Sequence, residues 1–134
     1  MSVIFKDTKN FNAGQLRDLF LSVGWSSGKY PEKLVAAMKN SSTVFSAWDN
    51  DKLIGLVNVL DDSVMTAYIH YLLVKPEYHS KGIGKELVNL VKAKYKDFLR
   101  ISVIAYCKET GFYTKCGFIE GNDKTSMFIT SLQT

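Results

Sequence analysis

The sequence has no apolar run long enough to span a bilayer, and its first residues, MSVIFKDTKN, lack the apolar core of a signal peptide. Repeats, low-complexity segments and linker-like stretches are also missing. These absences predict a soluble cytoplasmic protein with no membrane partner. A chain of 134 residues with an apolar fraction of 46% has the size and composition of a single globular domain, residues 1–134.

Cysteine is scarce, and its spacing carries no chemistry. Cys107 and Cys116 form neither a CxxC pair nor a metal-binding spacing. In a reducing compartment both are expected to be free thiols with structural roles. The sequence therefore predicts no metal site.

The chain carries a formal net charge of +4, and many of its lysines crowd into residues 81–96. Most of them are expected to form the solvated face of a helix. Aromatic residues do not interleave with this charge, so nucleic-acid binding is not expected. The first one or two lysines are enough to attract a small polyanion.

Residues 72–91, LLVKPEYHSKGIGKELVNLV, change character midway. Leu72, Leu73 and Val74 end an apolar run that is suited to a buried strand, and Pro76 stops it. After the proline, apolar residues recur at helical spacing, at Ile83, Leu87, Leu90 and Val91.

A glycine-bearing turn joins this strand to this helix. The first amides of a helix lack internal partners and point outward from the positive end of its dipole, where phosphate oxygens can accept from them. Glycine has no Cβ, so a diphosphate can approach the backbone closely. The pattern therefore predicts an anion-binding turn made of His79, Ser80, Lys81, Gly82, Ile83, Gly84 and Lys85.

Two common phosphate-binding loops do not fit this turn. A Walker loop needs glycine where His79 stands and serine or threonine where Glu86 stands. A dinucleotide fingerprint needs a third glycine where Leu87 stands.

Residues 74–84 resemble another motif, V-x-P-x-x-(Q/R)-x-x-G-x-G, which binds acetyl-CoA in the GCN5-related N-acetyltransferase (GNAT) family. The one departure is His79, where the family has glutamine or arginine. Residues 111–118, GFYTKCGF, resemble the family's F-Y-x-K-x-G-F segment.

A narrower similarity, to the plant and cyanobacterial serotonin (arylalkylamine) N-acetyltransferase branch, includes Gly24-Trp25, residues 31–34 and residues 47–49. That branch carries acidic residues where Tyr71 and Tyr106 stand here.

The periodicity and the resemblance predict the same fold class. It is α/β (α+β), a single GNAT-like domain with a mixed, mostly antiparallel twisted sheet and helices on both faces. The predicted order is β-α-α-β-β-β-α-β-α-β-β. Its strands cover residues 3–6, 43–48, 53–60, 65–74, 99–106, 118–120 and 126–132, and its helices begin after Asn12, at Pro31, at Ile83 and at Glu109.

The resemblance implies an acetyl-CoA-dependent enzyme that acetylates the primary amine of a small molecule directly, without a metal. The strands before and after the motif helix would splay apart. The pantetheine arm would lie in the gap along Leu72, Leu73 and Val74, with the backbone groups of Leu72 and Val74 offered to it, and the diphosphate would lie on residues 79–85.

The resemblance and side-chain chemistry indicate an acid and a base. Tyr113 matches the family tyrosine that protonates the leaving thiolate, and a phenol of pKa about 10 can stabilise a thiolate of pKa about 8.5. His70, with an ordinary pKa of about 6.5, is the best single candidate for the base. Tyr71 is expected on the opposite strand face. Trp25, Tyr30 and Tyr68 could line an acceptor pocket.

Two alternatives remain open at this point. One is a CoA-binding module with little catalysis, and the other is an acetyltransferase of proteins or peptides. The resemblance also allows a homodimer.

Overall fold

The computed structural model describes residues 2–134. Its strands are β1 (Val3–Lys6), β2 (Thr43–Asp49), β3 (Lys52–Asp61), β4 (Thr66–Val74) and β5 (Arg100–Val103). Its α-helices are α1 (Ala13–Ser22), α2 (Pro31–Asn40), α3 (Ile83–Lys94) and α4 (Thr110–Lys115). Short 3₁₀ helices lie at Ser26–Lys29, Pro76–Tyr78 and Cys107–Glu109.

The five strands form one mixed sheet in the order β1-β2-β3-β4-β5. The first four are antiparallel neighbours, and β4 and β5 are parallel. The predicted mixed, mostly antiparallel sheet is therefore confirmed. The parallel pair follows from the crossover through α3, because a helix must carry the chain back to the same end of the sheet.

Helices cover both faces of the sheet, as predicted. On one face α1 and α2 bury Leu16, Phe20 and Met38 against β2 and β3. On the other, α3 buries Leu87 and Val91 against the opposite side chains of the same strands. Because successive side chains of a strand point to opposite faces of the sheet, each strand contributes residues to both cores.

The first two helices begin where the sequence predicts. Asn12 caps α1 in a capping box: its Oδ1 accepts from the Gln15 amide at 2.8 Å, and Gln15 Oε1 accepts from the Asn12 amide at 3.0 Å. Pro31 occupies the first turn of α2, where its missing N–H costs nothing.

The predicted last two strands are wrong. Residues 118–134 form no strand, and β5 is shorter than the predicted 99–106. Alternation alone makes no strand, because the backbone N–H and C=O groups need a neighbouring strand to pair with. The last residues are instead tied to the 3₁₀ helix at Ser26, whose amide donates to Thr134 Oγ1 at 2.7 Å.

No α-helix within residues 2–134 reaches the length and apolarity that a bilayer crossing requires.

Candidate active site

The turn between β4 and α3 has the backbone of an anion-binding loop. Gly82 precedes α3 in the left-handed region, with φ of 79°, and Ser80 has φ of 64°. No side chain among residues 2–134 caps this end of α3. The first amides of the helix, from Ile83 to Lys85, are therefore without intrahelical or side-chain cap partners. Ser80, Lys81 and Lys85 are exposed beside them.

Gly84 brings the two sequence motifs together. A Cβ at this position would lie 3.4 Å from Cζ of Phe112 in α4 and 3.9 Å from a Val74 methyl in β4. The first turn of α3 is thus sandwiched between the end of β4 and the aromatic segment. At the other end of α4, Lys92 Nζ donates to Cys116 O at 2.8 Å and ties α4 to α3.

A gap opens between β4 and β5 beyond the pair Ile69 and Val103. Their parallel pairing runs from Thr66 and Arg100 to Ile69 and Val103, while β4 continues to Val74 alone on that side. The other side of β4 stays paired with β3 as far as Val74. The splayed strands that the resemblance implies are therefore present in the fold.

The backbone N–H and C=O groups of every second residue of β4 face this gap. The amides of Tyr71 and Lys75 both point to β3, where they donate to Asn58 Oδ1 at 2.9 Å and to Ile54 O at 2.8 Å. Since successive residues of a strand alternate in direction, the N–H and C=O groups of Leu72 and Val74 face the gap. The side chain of Leu73 is buried in the core beneath α1 and α2, and its amide faces β3.

His79 folds back onto the strand that precedes it. Its Nε2 lies 2.7 Å from Val74 O and donates to it. The bond closes the turn between the end of β4 and the start of α3. One of the two backbone groups that Val74 presents to the gap is thus engaged by the protein's own side chain.

Tyr113 lies on α4, and its ring is held edge-on by Phe112 and Phe118, with centroids 5.1 and 5.5 Å away. Burial, together with the nearby Glu109 carboxylate and Cys116, raises the pKa of Tyr113 to about 12. The phenol is therefore protonated throughout the neutral range, where it has a proton to donate.

His70 occupies a β-bulge, which sequence reasoning missed. On β3, Asn58 and Val59 are consecutive, but their partners on β4 are Tyr71 and Ile69, so His70 is the extra residue. The expectation that Tyr71 lies on the opposite face from His70 is wrong, because the bulge breaks the alternation. Their rings stack with centroids 4.0 Å apart.

The ring of His70 stacks on Tyr71 on one side and lies 5.8 Å from Tyr68, while the residue still reaches solvent. Partial burial lowers the pKa of His70 below its ordinary 6.5. The imidazole is therefore neutral at pH 7, which is the form that accepts a proton.

An aromatic cluster that sequence reasoning only partly anticipated adjoins the gap. Trp25 lies 5.9 Å from Tyr71 and 6.2 Å from Tyr106, centroid to centroid. The Tyr71 hydroxyl and Ser27 Oγ are 2.7 Å apart, which fixes the phenol. Tyr30 lies outside this cluster, on the exposed side of the chain before α2. The sequence comparison had marked Tyr71 and Tyr106 only as the positions where the arylalkylamine branch has acidic residues, and it did not indicate that they pack against Trp25.

Comparison with known proteins identifies one family. The sequence model of the acetyltransferase (GNAT) family matches residues 12–118. An uncharacterised N-acetyltransferase of Porphyra purpurea, ycf52, is 32% identical over 128 residues, which cover 90% of this chain and 72% of that protein.

The GCN5-related N-acetyltransferase 2, chloroplastic, of Arabidopsis thaliana is 33% identical over an alignment of 138 positions, which covers 87% of this chain and 53% of that protein. The chain thus spans about half the length of this second relative. Among solved structures, a GNAT-family acetyltransferase of Streptococcus pneumoniae has a TM-score of 0.80 at 25% identity. The match covers 97% of this chain and 98% of that one.

Proposed function

The chain belongs to the GNAT family of N-acetyltransferases, which are acyltransferases, and we propose that it transfers an acetyl group from acetyl-CoA directly to the primary amine of a small molecule. One juxtaposition carries the proposal. An uncapped helix start lies next to the unpaired edge of β4, and the segment bearing Tyr113 packs on that same helix start.

Each part of acetyl-CoA has a matching part of the site. The diphosphate would sit on the turn of residues 79–85, where helix amides and the Lys81 and Lys85 ammonium groups attract it. The pantetheine arm would run along the open edge of β4 and pair with the backbone of Leu72 and Val74. This arrangement delivers the thioester to the gap beside the bulge.

The transfer balances with groups from this chain alone. The neutral amine nitrogen attacks the thioester carbonyl carbon, and the C–S bond breaks with its electron pair going to sulfur. Tyr113 gives the sulfur its proton, and backbone amides facing the gap stabilise the developing oxyanion. The attacking nitrogen loses a proton to His70, from which it returns through water to the phenolate. The products are an amide and the free CoA thiol.

A base matters because an alkylamine of pKa about 10.4 is roughly one part in a thousand neutral at pH 7. His70, neutral in this site and in contact with solvent, can take the proton and pass it on. The resident acid and base are thus both in the protonation state that the direct transfer needs.

The aromatic cluster of Trp25, Tyr71 and Tyr106 would hold the apolar part of the acceptor. Rings of this kind present flat apolar faces together with polar tips. A small amine with an apolar or aryl portion fits this surface better than a strongly charged peptide.

The test has two stages. Calorimetry of the purified chain with acetyl-CoA measures cosubstrate binding, and a panel of primary amines with thiol detection then measures transfer. Acetyl-CoA binding followed by acetylation of a small amine is the expected result. Binding without turnover of any amine would instead favour a CoA-binding module. Mass spectrometry of a peptide library, if it alone gave acetylated products, would favour a protein or peptide acetyltransferase.

We also propose that residues 1–134 form one N-acetyltransferase-like domain. Two such domains would associate, with the outer edge of β5 in each copy pairing with residues 126–132 of the other. β5 pairs with β4 alone among the strands formed by residues 2–134, so its outer edge is unpaired. The segment 126–132 alternates like a strand, and Met127 and Ile129 are 87% and 107% exposed. An open edge and an unpaired apolar segment in one chain suit an isologous pairing with a second copy.

Light scattering after gel filtration tests this pairing. The wild type is expected at twice the chain mass and Ile129→Lys at the mass of one chain. Ile4→Lys, a charge on the β1 edge where Ile4 is 57% exposed, is the matched control and should stay a dimer. A monomeric wild type, or a dimeric Ile129→Lys variant, would overturn the proposal.

The cytoplasm stays our prediction for the location of the protein, and fractionation of the source cells tests it.

A further inference from the structure

The bulge in β4 is held by a side chain from the neighbouring strand. Asn58 lies in the middle of β3 and is 1% exposed. Its Oδ1 accepts the amide of Tyr71 at 2.9 Å, so a side-chain oxygen takes the place of a β3 backbone carbonyl where the register shifts.

The hydrogen bonds around Asn58 leave its amide only one orientation. Ser41 Oγ donates its single proton to Ala37 O at 2.8 Å. It must therefore accept in its other contact, which is with Asn58 Nδ2 at 3.1 Å. The amide nitrogen faces Ser41 and the oxygen faces Tyr71, and the C-terminal turn of α2 is thereby connected to the bulge.

The hydrogen bond from the Tyr71 amide to Asn58 decides which residues of β4 between 71 and 74 direct their backbone groups to β3 and which direct them to the gap. With the Tyr71 amide drawn to β3, the backbone groups of Leu72 and Val74 point to the gap. The same bulge places the His70 ring against Tyr71. The orientations of the His70 ring and of the backbone groups of Leu72 and Val74 therefore all depend on the bulge that Asn58 holds.

We infer that Asn58 is a positioning residue of this acetyltransferase: its side chain fixes the bulge that aims His70 and the backbone groups of Leu72 and Val74 at the thioester. The inference rests on the proposed function and adds to it a residue with no contact to the gap of its own. Its effect passes through the amide of Tyr71.

The test compares Asn58→Leu with Thr43→Val. Leucine fills a similar volume but cannot accept from Tyr71. The control removes another hydrogen bond of the interior, between Thr43 Oγ1 and the Tyr95 hydroxyl at 2.6 Å, without touching β4. With acetyl-CoA and tyramine as probe acceptor, the turnover number of Asn58→Leu should fall about 10- to 100-fold, as expected when reacting groups are misplaced by an ångström or less.

Cosubstrate binding separates positioning from general damage. The acetyl-CoA dissociation constant of Asn58→Leu should rise by less than the turnover number falls, because the turn of residues 79–85 keeps its own helix amides even where the pantetheine arm loses backbone partners on β4. Asn58→Asp retains the acceptor oxygen and should recover part of the rate. Thr43→Val should lose stability while keeping its turnover number.

A readout that needs no acceptor keeps the failure of this inference distinct from that of the proposed function. By NMR hydrogen exchange, the Tyr71 amide should be protected in the wild type and in Asn58→Asp and lose most of its protection in Asn58→Leu. If Asn58→Leu does not fold, Ser41→Ala replaces it, since it frees the Asn58 amide to rotate. Unchanged protection of the Tyr71 amide, or turnover equal to that of Thr43→Val, would overturn the inference even if acetyl transfer by the wild type is established.

Discussion

His79 Nε2 donates to Val74 O across 2.7 Å, so the turn of residues 79–85 is latched to the strand that feeds it. The two residues are five apart in sequence, and the contact spans the 3₁₀ helix Pro76–Tyr78. The hydrogen bond restrains the turn that we propose as the diphosphate site. It gives His79 a structural role at the one position where the sequence departs from the family's motif.

Removal of the latch should weaken cosubstrate binding. In His79→Ala the turn loses one side-chain hydrogen bond, which is worth about 1 kcal/mol, or roughly a fivefold rise in the acetyl-CoA dissociation constant. His79→Gln carries an amide donor and should restore most of the affinity. Calorimetry measures both variants, and equal affinities of the wild type and His79→Ala would show that the latch does not order the turn.

Substitutions at Gly82 should affect the stability of the fold and the binding of acetyl-CoA separately, because Gly82 has a left-handed conformation and lies in the turn of residues 79–85. Gly82→Ala should lower the free energy of unfolding by about 1 kcal/mol, because a Cβ is disfavoured at φ of 79°. Gly24→Ala is the matched control, since Gly24 has φ of 75° and, like Gly82, has no atom within 4 Å of a built Cβ.

Chemical denaturation should show similar losses for both alanine variants. Gly82→Glu, which adds bulk and negative charge to the diphosphate turn, should also abolish acetyl-CoA binding in calorimetry. Gly24→Glu should bind normally. Normal binding by Gly82→Glu would remove the turn from the site.

The phenol of Tyr113 should matter for turnover and not for binding. Tyr113→Phe keeps the packing between Phe112 and Phe118 but cannot supply a proton, and loss of a positioned acid typically slows a reaction about 100-fold or more. Steady-state kinetics should show this fall, and calorimetry should show an unchanged acetyl-CoA affinity.

The control for Tyr113→Phe is Tyr78→Phe, which loses a hydroxyl that donates to Asp49 Oδ2 at 2.6 Å, on β2. Its turnover should match the wild type. Full activity in Tyr113→Phe would mean that the leaving thiolate takes its proton from elsewhere.

The lowered pKa of His70 predicts the acid side of the pH profile. A base works only when neutral, so kcat/KM should rise with pH through a pKa below the ordinary 6.5 and show no further His70-dependent rise at higher pH. His70→Gln should lose this acid limb and have a lower rate throughout the neutral range. An acid limb that persists unchanged in His70→Gln would assign the base to another group.

Local sequence was sufficient for the parts of the site that are built from consecutive residues. The apolar run to Val74, the stop at Pro76 and the helical spacing from Ile83 predicted strand, turn and helix in the right places. The capping box of Asn12 follows from two side chains three residues apart, and glycine at position 82 permits the left-handed conformation found there. Each depends on contacts within a turn or two of the chain.

Tertiary pairing decided the rest. The bulge at His70 exists because Asn58, twelve positions earlier, offers a side-chain oxygen across the sheet. The strands predicted at 118–120 and 126–132 fail to form because no neighbour pairs with them among residues 2–134. A polar residue within an apolar strand and an alternating tail are visible in the sequence, but their outcome depends on which backbone groups lie opposite them. That is set only when distant segments meet in the sheet.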